Sequence, residues 1–107
     1  MIETEEVLNS LNITTNYKGY KIIVQAVDIM FDSEGKSLTA QAIYHQLADA
    51  NSISPSSAER NISTAIVRAW SVAPQKFEKV LGGKEASAPK TAEFLRLVYE
   101  KVKRMRG

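Results

Sequence analysis

Residues 39–70 read TAQAIYHQLADANSISPSSAERNISTAIVRAW, and this stretch decides the fold. Apolar residues recur every three or four positions on both sides of a polar break at residues 49–52, which is the spacing of amphipathic helices. The stripe before the break contains Ala40, Ile43 and Leu47, and the stripe after it is formed by Ala58, Ile62, Ala65, Ile66 and Ala69. Two helices joined this tightly predict a helix-turn-helix over about residues 39–70.

Both helices of the pair are preceded by residues that favour a helix start. Ser37 or Thr39 can cap the first helix. Ser54 suits the N-cap of the second, because Pro55 would then occupy the first helical position, where its missing N–H costs nothing. Ser56 also fits, since a glutamate follows three residues later as in a capping box. The sequence leaves both choices open.

The rest of the chain also has helical spacing. Apolar periodicity predicts helices around residues 4–11 and 17–31, and Pro74 and Pro89 stand where further helices are expected to start. No sustained alternation of apolar and polar residues indicates a strand. A chain of 107 residues is long enough for one modest core. We therefore expect an all-α fold, a compact bundle of about six helices forming a single domain over residues 1–107.

Composition excludes several classes of function. The chain has no cysteine, so disulfides, thiolate metal sites and a cysteine nucleophile are excluded. The one histidine, His45, has no partner residues that would make a metal or catalytic centre, and no nucleophile–base pair is visible. We expect no enzyme activity, no cofactor and no metal. The acidic start is unlike a signal peptide, and no apolar run is long enough to span a membrane, so a cytoplasmic protein is expected.

Charge is distributed unevenly along the chain. Residues 1–58 carry three Lys or Arg against seven acidic residues, whereas residues 59–107 carry eleven against five. This asymmetry favours a basic face that meets a polyanion. Basic residues also collect on solvated helix ends, where they suit the helix dipole. Both interpretations stay open for the C-terminal cluster of Lys101, Lys103, Arg104 and Arg106.

The second helix carries hydrogen-bonding side chains away from its apolar stripe. Counting from Arg60, the steps to Ser63, Thr64 and Val67 are three, four and seven residues, so these side chains share one face. A helix buried on one side and polar on the other suits the major groove of DNA, which admits one helix and presents donors and acceptors. The alternative is an ordinary amphipathic helix whose polar face is only solvated.

If the helix reads DNA, chemistry assigns roles to its side chains. Arg60 can pair with a guanine through two hydrogen bonds, and Glu59 can accept from a cytosine amino group or orient Arg60. Ser57 lies in the first turn, where recognition helices usually touch bases. Ser54, Ser56 and the free N–H groups of the helix start can hold a phosphate. Further candidate phosphate contacts are Arg68, Lys84 and Lys90.

Several blocks, in order, match a known family. They are Lys18-Gly19-Tyr20 with Ala26, Met30 and Phe31; Ile43-Tyr44 with Leu47-Ala48; Glu59-Arg60 with Ile62, Ala65, Ile66, Ala69 and Trp70; Phe77 with Leu81-Gly82; and Pro89-Lys90-Thr91 with Glu93-Phe94. On these residues the chain resembles the C-terminal DNA-binding (effector) domain of the stage 0 sporulation protein A family. These proteins are response regulators that initiate sporulation in spore-forming Firmicutes. The resemblance covers about residues 5–104, and its most specific part is the run from residue 59 to residue 70.

The resemblance implies a compact all-helical domain that binds short promoter elements in double-stranded DNA, often with domains in tandem. A second copy of the chain, as a homodimer or in tandem, and RNA polymerase are the further candidate partners. In the parent architecture a phosphorylatable receiver domain precedes this one and controls dimerisation. No receiver is present in these 107 residues, so either an excised domain with an added Met1 or a stand-alone relative is expected.

The chain departs from the family pattern on the second helix. The family usually has arginine at the position of Ser57 and an arginine-histidine pair at the positions of Ser63 and Thr64. Each lost contact is worth about 1–3 kcal/mol of binding or discrimination. The resemblance therefore implies a different preferred DNA site, weaker binding, or both. The alternative function is a protein-interaction module on the same fold.

Overall fold

The structure, a computed structural model, describes residues 2–33, 38–82 and 87–107. These residues form helices without any strand. In chain order the helices are α1 (Ile2–Ser10), α2 (Gly19–Asp32), α3 (Ala40–Asn51), α4 (Pro55–Val72), α5 (Pro74–Leu81) and α6 (Thr91–Arg106). The prediction of an all-α bundle of about six helices is confirmed. None of the helices in the described ranges is long and apolar enough to cross a membrane.

The long helix α4 lies at the centre of the packing. It contacts α2, α3, α5 and α6, while α1 packs across α6, α2 and α5. The whole stripe predicted for this helix is buried, from Ala58 to Ala69. Burial of this apolar stripe holds the helix in one orientation, because turning it would expose the stripe to water. The largest side chains buried with it are Leu8, Leu11, Ile13, Ile23, Leu47, Ile62, Ile66, Phe94 and Leu95.

Aromatic pairs attach α6 to the rest of the bundle. The rings of Phe77 on α5 and Phe94 on α6 lie 6.0 Å apart between centroids. Further along α6, Tyr99 packs on Phe31 of α2 with centroids 4.7 Å apart. Both pairs are tilted rather than face to face, which is the favourable arrangement for aromatic rings. They fix α6 against two different helices.

The helix starts follow the predicted chemistry. Thr39 caps α3, since its Oγ1 accepts a hydrogen bond from the Ala42 N–H at 3.1 Å. The competing candidate, Ser37, lies outside the described residues. Ser54 caps α4 with its Oγ 3.0 Å from the Ser57 nitrogen, and Pro55 is the first helical residue. The alternative capping box that would begin at Ser56 is therefore wrong.

The turn between α3 and α4 is shorter than predicted. The helix continues through three of the four residues expected to break it and ends at Asn51. Ser52 then adopts the left-handed conformation, with φ 55° and ψ 43°. The Ala48 carbonyl accepts hydrogen bonds from the N–H groups of both Ser52 and Ile53. The left-handed Ser52 therefore ends the helix within a single residue. The Asn51 side chain donates to Gln25 Oε1 at 2.7 Å, which ties this corner to α2.

The start of α2 lies directly on the middle of α4. A Cβ atom at Gly19 would lie 2.4 Å from the Asn61 carbonyl oxygen and 3.1 Å from the Ala65 Cβ. Real Cβ atoms do not approach a backbone oxygen that closely. Only glycine therefore permits this contact between the two helices.

Candidate nucleic-acid interface

The face of α4 that points away from the core is the candidate interface. Arg60 and Thr64 are exposed and Ser63 is half-buried between them. One turn further along the same side, the apolar residue Val67 is 53% exposed. We call these four residues the reading face. The structure brings them together as the spacing predicted, because the opposite side of α4 is held in the core.

Arg60 is the one arginine of the reading face, and it is unpaired in the part of the chain that the structure describes. Arg96 on α6 shows the contrast. Its guanidinium contacts Glu93 at 2.6 Å and Glu100 at 3.0 Å, so its charge is compensated. The guanidinium of Arg60 thus retains its charge and its five donors for an external acceptor.

The charge of Glu59 is felt on the neighbouring helix α3. Burial of the Tyr44 phenol on α3, together with the negative charge of Glu59, raises the pKa of Tyr44. The Tyr44 ring is buried, whereas Glu59 is exposed. The carboxylate therefore lies beside the corner of the helix-turn-helix, with its oxygens open to solvent.

The serines at the start of α4 are partly engaged with one another. The Ser54 hydroxyl donates to Ser57 Oγ at 3.0 Å, and its oxygen accepts from the Ser57 N–H. Ser54 has used its only proton, whereas the Ser57 hydroxyl keeps one to donate. Pro55 has no N–H, and the Ala58 N–H is bonded to the Ser54 carbonyl at 3.0 Å. In the first turn only the N–H of the exposed Ser56 is left without an acceptor among the described residues.

A small cavity opens beside the reading face, between the segment before α2 and the outer side of α4. It has a volume of about 170 Å³. The residues that line it are Asn16, Tyr17, Lys18 and Gly19 from one side and Asn61, Thr64, Ala65 and Arg68 from α4. The guanidinium carbon of Arg68 lies 5.3 Å from the centre of the Tyr17 ring, which is a cation–π contact.

Residues 4–102 match the family model described as "Sporulation initiation factor Spo0A C terminal". The chain belongs to this family. The members of this family are the DNA-binding domains of a transcription regulator. The family is not a family of enzymes. No curated protein and no solved structure matches the chain. The match includes the whole helix-turn-helix and the cavity beside it.

Of the three other cations proposed from the sequence, this structure of a Spo0A C-terminal domain describes two, and these two lie in different surroundings. Arg68 lines the cavity together with Thr64 of the reading face. Lys90 is exposed at the N-cap of α6, where its side chain makes no capping hydrogen bond. Lys84 lies outside the described residues. Of the two that the structure describes, it brings Arg68 next to the reading face.

Sequence spacing missed Lys18 and Tyr17 as candidate site residues. Lys18 lies 37 positions before the first residue of α4 in the chain, so no helical period connects the two. Only the packing of Gly19 on Asn61 brings Lys18 next to α4. The Lys18-Gly19 pair belongs to the family resemblance, and that was the one available signal. Groups of three or more candidate metal ligands are absent from the described residues.

Proposed function

We propose that this chain binds double-stranded DNA sequence-specifically as a transcription regulator, with the reading face of α4 in the major groove. The observation that carries the proposal is the unpaired Arg60 on the outward face of a helix whose other side is locked in the core. Family membership supports it, because the family is a DNA-binding domain. In this proposal residues 1–107 act as one domain.

Each side chain of the reading face, and the neighbouring Glu59, has a matching group on a base edge. The fork of Arg60 suits the O6 and N7 atoms of guanine, and Glu59 suits the amino group of cytosine. Ser63 and Thr64 can donate or accept, so they discriminate less strongly than the arginine and histidine usual in the family. Val67 suits the methyl group of thymine. We therefore expect a preferred site that overlaps the family's promoter element only in part.

The start of α4 provides contacts that position the helix. The Ser57 hydroxyl proton and the Ser56 N–H point to acceptors outside the protein, and phosphate oxygens at the edge of the groove are such acceptors. Ser54 acts indirectly, because its hydroxyl is used to cap the helix. On a promoter, a second copy of the domain and RNA polymerase are the protein partners that we propose.

The test is selection of bound duplexes from a random DNA library, with wild type and Arg60→Ala in parallel. We expect one enriched motif for wild type and its loss in Arg60→Ala. Arg96→Ala is the matched control, since it removes an exposed arginine from another helix. Thermal unfolding of all three proteins checks the fold. If Arg60→Ala enriches the same motif with the same affinity, α4 does not read DNA through this face.

A second candidate function, binding of another protein, is favoured by one observation. Val67 and Val72 on α4 are 53% and 73% exposed, an apolar content that also suits a protein partner. Salt dependence distinguishes the two functions. DNA affinity falls steeply as salt rises, because bound counterions are released from the phosphates. Tight binding to a protein with little salt dependence, and no motif from the DNA library, would support the second candidate.

A further inference from the structure

We propose that the cavity beside the reading face is a phosphate clamp for the DNA backbone. The phosphate clamp consists of Lys18, Asn61, Thr64 and Arg68, and it holds one phosphodiester at the edge of the groove that α4 enters. The proposal rests on the proposed function and adds to it Lys18, which lies outside the helix-turn-helix. It also gives Arg68 a defined neighbour, Lys18, from a distant part of the chain.

The lining of the cavity has the chemistry of an anion site. Lys18 and Arg68 contribute two positive charges, and no carboxylate lines the cavity. Both cations are exposed, and neither is paired with an acidic residue in the described ranges. Asn61 and Thr64 add neutral hydrogen-bond donors. A phosphodiester has one negative charge and several acceptor oxygens, which such a set of donors matches.

Tyr17 positions the arginine of the phosphate clamp. Its ring lies under the Arg68 guanidinium at 5.3 Å, so the long side chain is held over the cavity before any ligand binds. A side chain that is already ordered loses less conformational freedom on binding. Tyr17 is therefore a positioning residue that acts through Arg68.

The location of the phosphate clamp indicates duplex DNA as the source of the phosphate. Thr64 belongs both to the reading face and to the clamp, and Arg68 follows it by one helical turn. The major groove is roughly 12 Å wide, so the phosphates at its edges lie close to any helix that fills it. The cations are exposed rather than enclosed, which suits a backbone passing along the surface better than a free anion.

The first test measures affinity for the selected duplex over a range of salt concentrations, using the full chain. Lys18→Gln and Arg68→Gln should each weaken binding about three- to tenfold on every DNA sequence, and each should lower the salt slope by about one. The enriched motif should not change. Lys79→Gln is the control, because Lys79 lines a different cavity with Ser10 and Lys101. It should leave affinity and slope nearly unaltered.

The second test identifies the phosphate itself. Neutral methylphosphonate linkages are placed singly along the selected duplex. One or two linkages should weaken wild-type binding as much as Lys18→Gln does, and should cost that variant little more. Full additivity at every linkage would overturn the clamp, because it would show that Lys18 and Arg68 do not touch those phosphates.

A third test asks whether Tyr17 affects DNA affinity only through Arg68. Tyr17→Phe keeps the ring and should retain wild-type affinity, whereas Tyr17→Leu should weaken it about two- to fivefold, since an exposed cation–π contact is worth roughly 0.5–1 kcal/mol. In the Arg68→Gln background Tyr17→Leu should add nothing. An equal loss in both backgrounds would show that Tyr17 acts only through the general stability of the fold.

The outcomes separate the clamp from the proposed function. If Arg60→Ala abolishes the motif while Lys18→Gln and Arg68→Gln keep full affinity and slope, the reading face stands and the clamp is wrong. If wild type binds no duplex at any salt concentration, both are wrong. Unchanged thermal unfolding in the glutamine variants is required for either conclusion.

Discussion

Ser54 shows how one small side chain defines the start of the candidate interface. Its oxygen accepts from the Ser57 N–H and its proton is donated to Ser57 Oγ, both at 3.0 Å. The residue that precedes α4 thereby fixes the first turn and leaves the hydroxyl proton of Ser57 available to another acceptor. From the sequence Ser54 was one of two possible caps, because Pro55 would then occupy the first helical position, and the structure decides between them.

Thr4 is a residue whose chemistry does not match its surroundings. It is fully buried, and its hydroxyl has no hydrogen-bond partner among the described residues. Thr4→Val replaces the hydroxyl by a methyl of similar size and should raise the free energy of unfolding by about 1 kcal/mol. Chemical denaturation of wild type and Thr4→Val measures this difference in the free energy of unfolding.

The matched control for that prediction is the same change at Thr39. There the side-chain oxygen caps α3, so Thr39→Val should lower the free energy of unfolding by about 1 kcal/mol. Opposite signs for the two variants are the expected result. A loss of stability in Thr4→Val would mean that its hydroxyl has a partner in solution.

The Tyr44 phenol gives a prediction about pH. Burial and the charge of Glu59 raise its pKa in the folded chain, so the folded state favours the protonated phenol. The resulting stability is present below the unfolded pKa of about 10 and is lost as the pH rises through the folded pKa. The free energy of unfolding should therefore fall above about pH 10, and it should fall less in Tyr44→Phe, as denaturant titrations at several pH values will show.

Glu59→Gln tests directly whether the charge of Glu59 raises the pKa of Tyr44. Removing this negative charge should lower the pKa of Tyr44 towards its ordinary value, which NMR titration of the tyrosine ring can follow. Glu93→Gln, on α6, is the control and should leave the Tyr44 pKa in place. If both variants behave alike, the charge of Glu59 does not act on Tyr44.

At the scale of the elements, the position of α4 depends on its contact with α2. Because the Asn61 carbonyl lies where a Gly19 side chain would begin, Gly19→Ala forces the two helices apart. We expect a loss of about 1–3 kcal/mol in the free energy of unfolding. We also expect a loss of DNA affinity, because Lys18 moves with the start of α2. Lys21→Ala, exposed on the same helix, should change stability by less than about 0.5 kcal/mol.

The sequence predicted which segments are helical and which face of α4 is buried. It predicted the ends of the helices and their mutual contacts less well. Periodicity identified the buried stripe of α4 because every member lies on one face. It placed the end of α3 too early, because polar residues at the end of a helix resemble a break. The left-handed Ser52, which ends the helix, is a serine that composition does not distinguish from its neighbours.

Spacing could not predict, for a different reason, that Lys18 and Arg68 line the same cavity. Periodicity describes one element at a time, whereas this pair depends on how α2 crosses α4. That crossing is set by a glycine without a side chain, which leaves no apolar pattern in the sequence. The reading face lies within one helix, and its residues could accordingly be assigned to a common surface before the structure.

For the whole molecule, the modest net charge of +2 limits long-range attraction to DNA. Affinity must then come mainly from the few cations placed at the interface. We expect the logarithm of the association constant to fall with the logarithm of salt concentration with a slope of roughly −2 to −4, since each phosphate contact contributes about −0.9. A slope near zero would contradict phosphate binding altogether, and a much steeper one would require the C-terminal basic cluster to bind DNA as well.

The contact between Gly19 and Asn61 also has a consequence for engineering. It joins two main chains, so it does not depend on which side chains the outward face of α4 carries. Under the proposed function, substitutions at residues 60, 63, 64 and 67 should therefore alter the preferred bases and leave this backbone contact in place. The chain would then serve as a scaffold on which new DNA specificities are selected by varying four positions.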